Sequence, residues 1–117
     1  MTTLIDVLIK KKEREEKYFK NYLKYARIIK KEAGELLGEV RVLVFGSILK
    51  QDQIPQDIDI LIISPELKTS SKKSEVRVKI QKKIGFCSLF ELHLITPKEY
   101  ENWYQFFIKQ KKKFNFV

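Results

Sequence analysis

Proline and glycine are scarce in this chain of 117 residues: three prolines and four glycines, with no proline before Pro55 and only Gly34 between Thr3 and Leu37. Little in that first third obliges a helix to stop. Cysteine is scarcer still. The lone Cys87 excludes an internal disulfide and a thiolate cluster for structural zinc, so a reducing, cytoplasmic location is the simplest expectation, with Cys87 as a small buried apolar side chain. Long apolar runs are missing too. The stretch from Ile60 to Ile63 falls far short of the roughly 20 residues of a membrane-spanning helix. The first dozen positions mix acidic and basic residues and lack an apolar segment followed by a small-residue cleavage site, so no secretory signal is expected and the mature protein is expected to begin at or near Met1.

What is present is enough for one folded unit. A chain of this length divided in two would leave each half too short for a robust core, so residues 1–117 are expected to form a single domain. The 44% hydrophobic content is that of a globular protein, not of a solvated disordered chain. Acids are outnumbered, 15 against 24 lysines and arginines, giving a formal net charge of +9. The excess is uneven: between Lys68 and Lys83 seven basic residues stand against the single acid Glu75, and Lys109, Lys111, Lys112 and Lys113 follow near the end. Such a field attracts polyanions, whether nucleic acid, a nucleoside triphosphate or an acidic protein. The alternative is that the lysines only solvate helix faces.

Apolar residues at Phe19, Leu23, Ala26, Ile29, Ala33 and Leu36 form a helical stripe ending near Gly38, whereas the charged block Lys10 to Lys17 has none. Leu4, Val7 and Leu8 before that block are expected to form a separate helical turn or to cross a neighbour. Glu39 to Phe45 reads as a strand, and Asp57 to Ile63 as a second one closed by Pro65. Ser71 to Ile84 places Val76, Ile80 and Ile84 four apart on a basic amphipathic helix that Gly85 ends. Ser88 to Ile95 returns to strand composition. Thr96, Pro97 and Glu99 then supply the cap, first-turn proline and capping-box acid of a last helix carrying Tyr100, Trp103, Tyr104, Phe107 and Ile108. Those aromatics are at helical spacing, which favours core or interface over base stacking. The order is helix, strand, strand, helix, strand, helix, and the expected fold is α+β, a small mixed sheet with helices packed on one face.

Two short patterns at strand ends point to chemistry. Gly46-Ser47 follows the first strand, and ten residues later Asp57-Ile58-Asp59 opens the second. Residues two apart in a strand point the same way, so both aspartates share a face. Acids are unfavourable in strands and repel one another when both are ionised, an objection that a cation removes. Paired carboxylates of this kind bridge divalent ions about 3.5–4 Å apart in two-metal transfer chemistry. Gly46 lets backbone amides come close to phosphate, and Ser47 offers a hydroxyl at the start of a short helical turn.

These residues resemble the nucleotidyltransferase superfamily that includes DNA polymerase beta and kanamycin nucleotidyltransferase, and in particular its minimal single-domain members. The likeness rests on Gly46-Ser47, the gap, and Asp57-Ile58-Asp59, covering residues 39–96 by motif and the rest by element order. It implies that Gly46 and Ser47 bind the triphosphate, that Asp57 and Asp59 hold two magnesium ions, and that a later strand adds a third acid. In Phe90-Glu91-Leu92-His93-Leu94-Ile95-Thr96 the choice lies between Glu91 and His93, which share a face; a hard cation favours Glu91. The family more often has Asp there, a frame ending on Thr96-Pro97 selects His93, and a lone strand histidine is more often packed or hydrogen-bonded than a ligand. Gln51 and Gln56 also depart from the Gly and Ser usual at their positions. The resemblance implies transfer of NMP, with ATP as the expected donor, to an acceptor hydroxyl. It further implies a HEPN-domain partner in a toxin–antitoxin pair, where AMP goes to a tyrosine in some cases. The competing expectation is a non-catalytic module of the same fold that binds a partner or RNA through its basic faces.

Overall fold

The computed structural model describes residues 2–49, 57–106 and 114–117, without the side chains of Ser47, Trp103 and Phe114. Helix α1 (Leu4–Lys20) opens on a capping box in which Thr3 and Asp6 each bond the other's backbone N–H. It buries little besides Tyr18, whose hydroxyl donates to the Ile84 carbonyl oxygen at 3.1 Å. The long helical stretch breaks at Asn21, which caps α1 by donating its side-chain amide to the Lys17 carbonyl oxygen. A side chain that bonds the preceding turn competes with helix continuation. The separate first helix is therefore longer than one turn, and it includes the charged block.

Helix α2 (Tyr22–Leu37) buries Ala26, Ile29 and Ala33 of the expected stripe and Leu37 in place of Leu36, while Leu23 is exposed and Phe19 belongs to α1; it stops at Gly38 with φ of 76°. Strand β1 (Arg41–Phe45) leads through a 3-10 turn (Ser47–Leu49) toward β2 (Ile58–Ile63). Helix α3 (Ser70–Ile84), capped by Thr69, buries Val76, Ile80 and Ile84 and ends at a left-handed Gly85. Strand β3 (Phe90–Ile95) follows. A short turn α4 (Pro97–Glu99) has the Thr96–Glu99 capping box and runs into a π-helical segment (Tyr100–Tyr104).

With a last strand β4 (Phe114–Phe116), the sheet has the order β3-β2-β1-β4, with β2 and β3 parallel and β1 antiparallel to both its neighbours. Its outer strand β4 is an addition to the expected element order. Three residues after a lysine run offer too short an alternation to signal a strand, and pairing with β1 is what makes them one.

Alternation along the strands sends the two faces to different ends. Val42, Val44, Ile58, Ile60, Ile62, Phe90, Leu92 and Leu94 form the main core with α2 and α3, and Cys87 is buried there as expected. Leu43, Phe45, Leu61, Ile63 and Ile95 point to the opposite face, where Tyr100 and Tyr104 cover them. The three long helices thus leave one sheet face only partly roofed, and Asp59, Glu91 and His93 lie on it.

Candidate active site

Three elements converge on that face. Asp59 is opposite Phe45 in the antiparallel register of β1 and β2, and opposite Glu91 in the parallel register of β2 and β3. His93, two residues along β3, is opposite Leu61 and shares the side of Glu91. One ligand atom from each of Asp59, Glu91 and His93 lies within 4.8 Å of the others. His93 Nε2 is 3.4 Å from Asp59 Oδ1, and both side chains are largely but not fully buried.

Asp57 is just ahead of β2 and exposed. Its neighbour Ile58 donates its backbone N–H to the Leu89 carbonyl oxygen at 2.7 Å, which ties the start of β2 to the start of β3. The compact trio closes without Asp57, yet the charge of Asp57 still acts on Glu91. The Glu91 carboxyl is held above the ordinary carboxylate value, first by a hydrogen bond with Asp59, then by partial desolvation and the charges of Asp59 and Asp57. Proximity to His93 opposes the rise.

Gly46 has φ of 89°, a region that side chains with a Cβ rarely adopt. A Cβ there would run into Asp59 Oδ2. The bend after β1 and the carboxylate on β2 are thus fitted against each other, which explains why the Gly belongs to the same pattern as the Asp. Ser47 opens the 3-10 turn as expected, while its hydroxyl, Gln51, Gln56 and Phe107 lie outside the described residues.

Two neighbours of the site were missed in the sequence. The Phe45 and Tyr104 rings lie 5.4 Å and 6.0 Å from the His93 ring, centroid to centroid. Phe45 was legible as a strand residue beside Gly46, but its position next to β3's histidine depends on strand order. Arg41, 5.4 Å from the Tyr100 ring centroid, helps hold the last helix over this face.

Acids gathered at one end of an otherwise apolar sheet face coexist when a cation lies between them, and such a cation serves the transfer of phosphate-bearing groups. Fold and site together define a nucleotide-transferring enzyme. Residues 26–115 match the nucleotidyltransferase domain family, and the chain belongs to it. A crystal structure provisionally described as a nucleotidyltransferase is similar at 28% identity and a TM-score of 0.64, covering 83% of this chain and 98% of that one. No curated protein matches the chain. The donor set fits the divalent cation that the family generally uses, since two carboxylates suit a hard ion and their ligand atoms are already close.

Two consequences are measurable. Gly46→Ala adds a Cβ at a positive φ, costing about 1–2 kcal/mol of stability in urea denaturation. It also displaces Asp59, so transfer should fall on the order of 100-fold, far beyond what the stability loss explains. Transfer at the wild-type rate would show that Asp59 does not need its place against Gly46.

The second consequence concerns pH. A Glu91 pKa raised by folding means that the folded state holds the proton more tightly than the unfolded chain. That contribution is fully present below the ordinary carboxylate value and is lost as pH rises through the raised one. Without divalent ions, Glu91→Gln should therefore gain in melting temperature over wild type more at pH 7 than at pH 4. A pH-independent difference would contradict the crowding of these carboxylates.

Proposed function

We propose that this protein takes a nucleoside triphosphate, ATP by preference, and transfers NMP to an acceptor hydroxyl with release of pyrophosphate. The observation that carries this reading is the Asp59–Glu91 register, which sets two carboxylates side by side with Gly46 closed against Asp59.

Asp57, Asp59 and Glu91 would hold magnesium. The bound ion supplies charge neutralisation for the phosphates and for the attacking oxygen. Gly46, and Ser47 as the next residue of the pattern, would bind the triphosphate. Glu91 would complete this metal site or, in its place, accept the proton of the acceptor hydroxyl. Tyr104 and Phe45 exclude water from one side of the trio.

A HEPN-type partner that carries the acceptor, with this chain in an antitoxin role, is the reading we favour. Its support is α1, where Leu4, Ile5, Val7, Leu8 and Ile9 are all at least half exposed and form an apolar surface that a partner would cover. The other reading, a binding module without catalysis, draws on the basic α3, where Lys79 and Lys72 flank Glu75 on an exposed face.

Calorimetry separates the two. The transferase should bind ATP with magnesium and lose most of that affinity with chelator. Binding of a partner or RNA without magnesium-dependent ATP affinity would replace the first reading by the second.

A further inference from the structure

We propose that His93 Nε2 ligates the cation held by Asp59 and Glu91, and that the site thereby selects a nitrogen-tolerant divalent ion of the manganese class over magnesium. This rests on the reading of the trio as the nucleotide-transfer centre.

The three donors have the spacing of ligands around one ion. Metal–ligand bonds of roughly 2.1 Å put ligand atoms about 3–4.2 Å apart; His93 Nε2 and Asp59 Oδ1 meet that spacing at 3.4 Å, and all three donors lie within 4.8 Å, close to it. The imidazole is already turned toward the carboxylates, with Nε2 3.4 Å from Asp59 Oδ1. Phe45 and Tyr104 hold its ring from two directions, so little rotamer freedom remains to be lost on binding.

The donor chemistry then sets the preference. Magnesium demands oxygen ligands in near-ideal octahedral geometry and gives up water reluctantly. Imidazole binds first-row divalent ions better than magnesium, and affinity for mixed nitrogen and oxygen sites rises from manganese, the most oxygen-seeking of the series, through cobalt and nickel. One imidazole among two carboxylates therefore leaves magnesium able to bind through oxygen alone, whereas manganese and cobalt gain a ligand. If His93 instead only donates a hydrogen bond to Asp59, it is a positioning residue and affects all the ions alike.

The chain has one histidine, so any imidazole nitrogen on a bound ion comes from His93. Electron spin echo spectroscopy of manganese bound to the untagged, nucleotide-free protein should show nitrogen modulation that His93→Gln removes. Calorimetry should show that variant losing manganese affinity about tenfold or more while magnesium affinity changes about twofold or less. His93→Asp, which restores an oxygen donor, should bind magnesium at least as well as wild type.

Tight manganese binding without nitrogen modulation in the wild type would overturn the assignment and leave the transferase reading standing. Equal losses of both ions in His93→Gln would overturn it as well, in favour of positioning. Failure of the wild type to bind either ion, with or without ATP, would overturn the transferase reading itself and this assignment with it.

Discussion

Asp59→Asn should abolish nucleotide transfer, with a loss on the order of 1,000-fold or more, while the protein remains folded. Asp59 meets all three elements of the site: it faces Phe45 and Gly46 of the first strand and its bend, and Glu91 and His93 of the third strand. An amide in its place keeps the shape and loses the charge, so metal and triphosphate lose their common anchor. Removing one of several crowded acids also relieves repulsion, and the variant without divalent ions should melt no lower than wild type. Asp57→Asn should reduce transfer in the same direction. Normal turnover by Asp59→Asn, measured as pyrophosphate release, would refute the assignment.

Glu91→Gln carries the second large effect. Glu91 is level with Asp59 across the parallel strands, and its protonated carboxyl donates the hydrogen bond to Asp59 while the charges of Asp59 and Asp57 oppose its ionisation. A glutamine there neither ligates a hard ion well nor takes a proton from a hydroxyl, and turnover should drop at least 100-fold. His93→Gln should cost less in magnesium, because the carboxylates of Asp57, Asp59 and Glu91 remain. An active Glu91→Gln beside an inactive His93→Gln would move the third catalytic position to His93.

Much of this site was legible because strands have a period of two. Gly46, Asp57, Asp59, Glu91 and His93 could each be placed on a strand end or face from local sequence alone. The choice between Glu91 and His93 could not be made that way, since alternation puts both on the same side. The register adds that Glu91 is level with Asp59, and both Glu91 and His93 join it in the trio. The clash of a Cβ at Gly46 with Asp59 was likewise beyond local reading, because it joins residues of two strands.

Elements with strong local signals, such as α3 between Thr69 and Gly85 and the Thr96–Glu99 capping box, are where the pattern expects them. Those that depend on distant partners are not. Strand β4 exists only by pairing with β1, and the break at Asn21 turns on a single side-chain hydrogen bond within an otherwise helix-favouring stretch.

The central claim is that this chain moves a nucleotide onto an acceptor through Asp59 and Glu91. The most direct measurement is mass spectrometry of the protein and its candidate partners after incubation with labelled ATP and magnesium. The claim predicts a covalent AMP on an acceptor hydroxyl with wild type, absent with Asp59→Asn and with chelator. No adduct on any acceptor, or an equal adduct with Asp59→Asn, would contradict it.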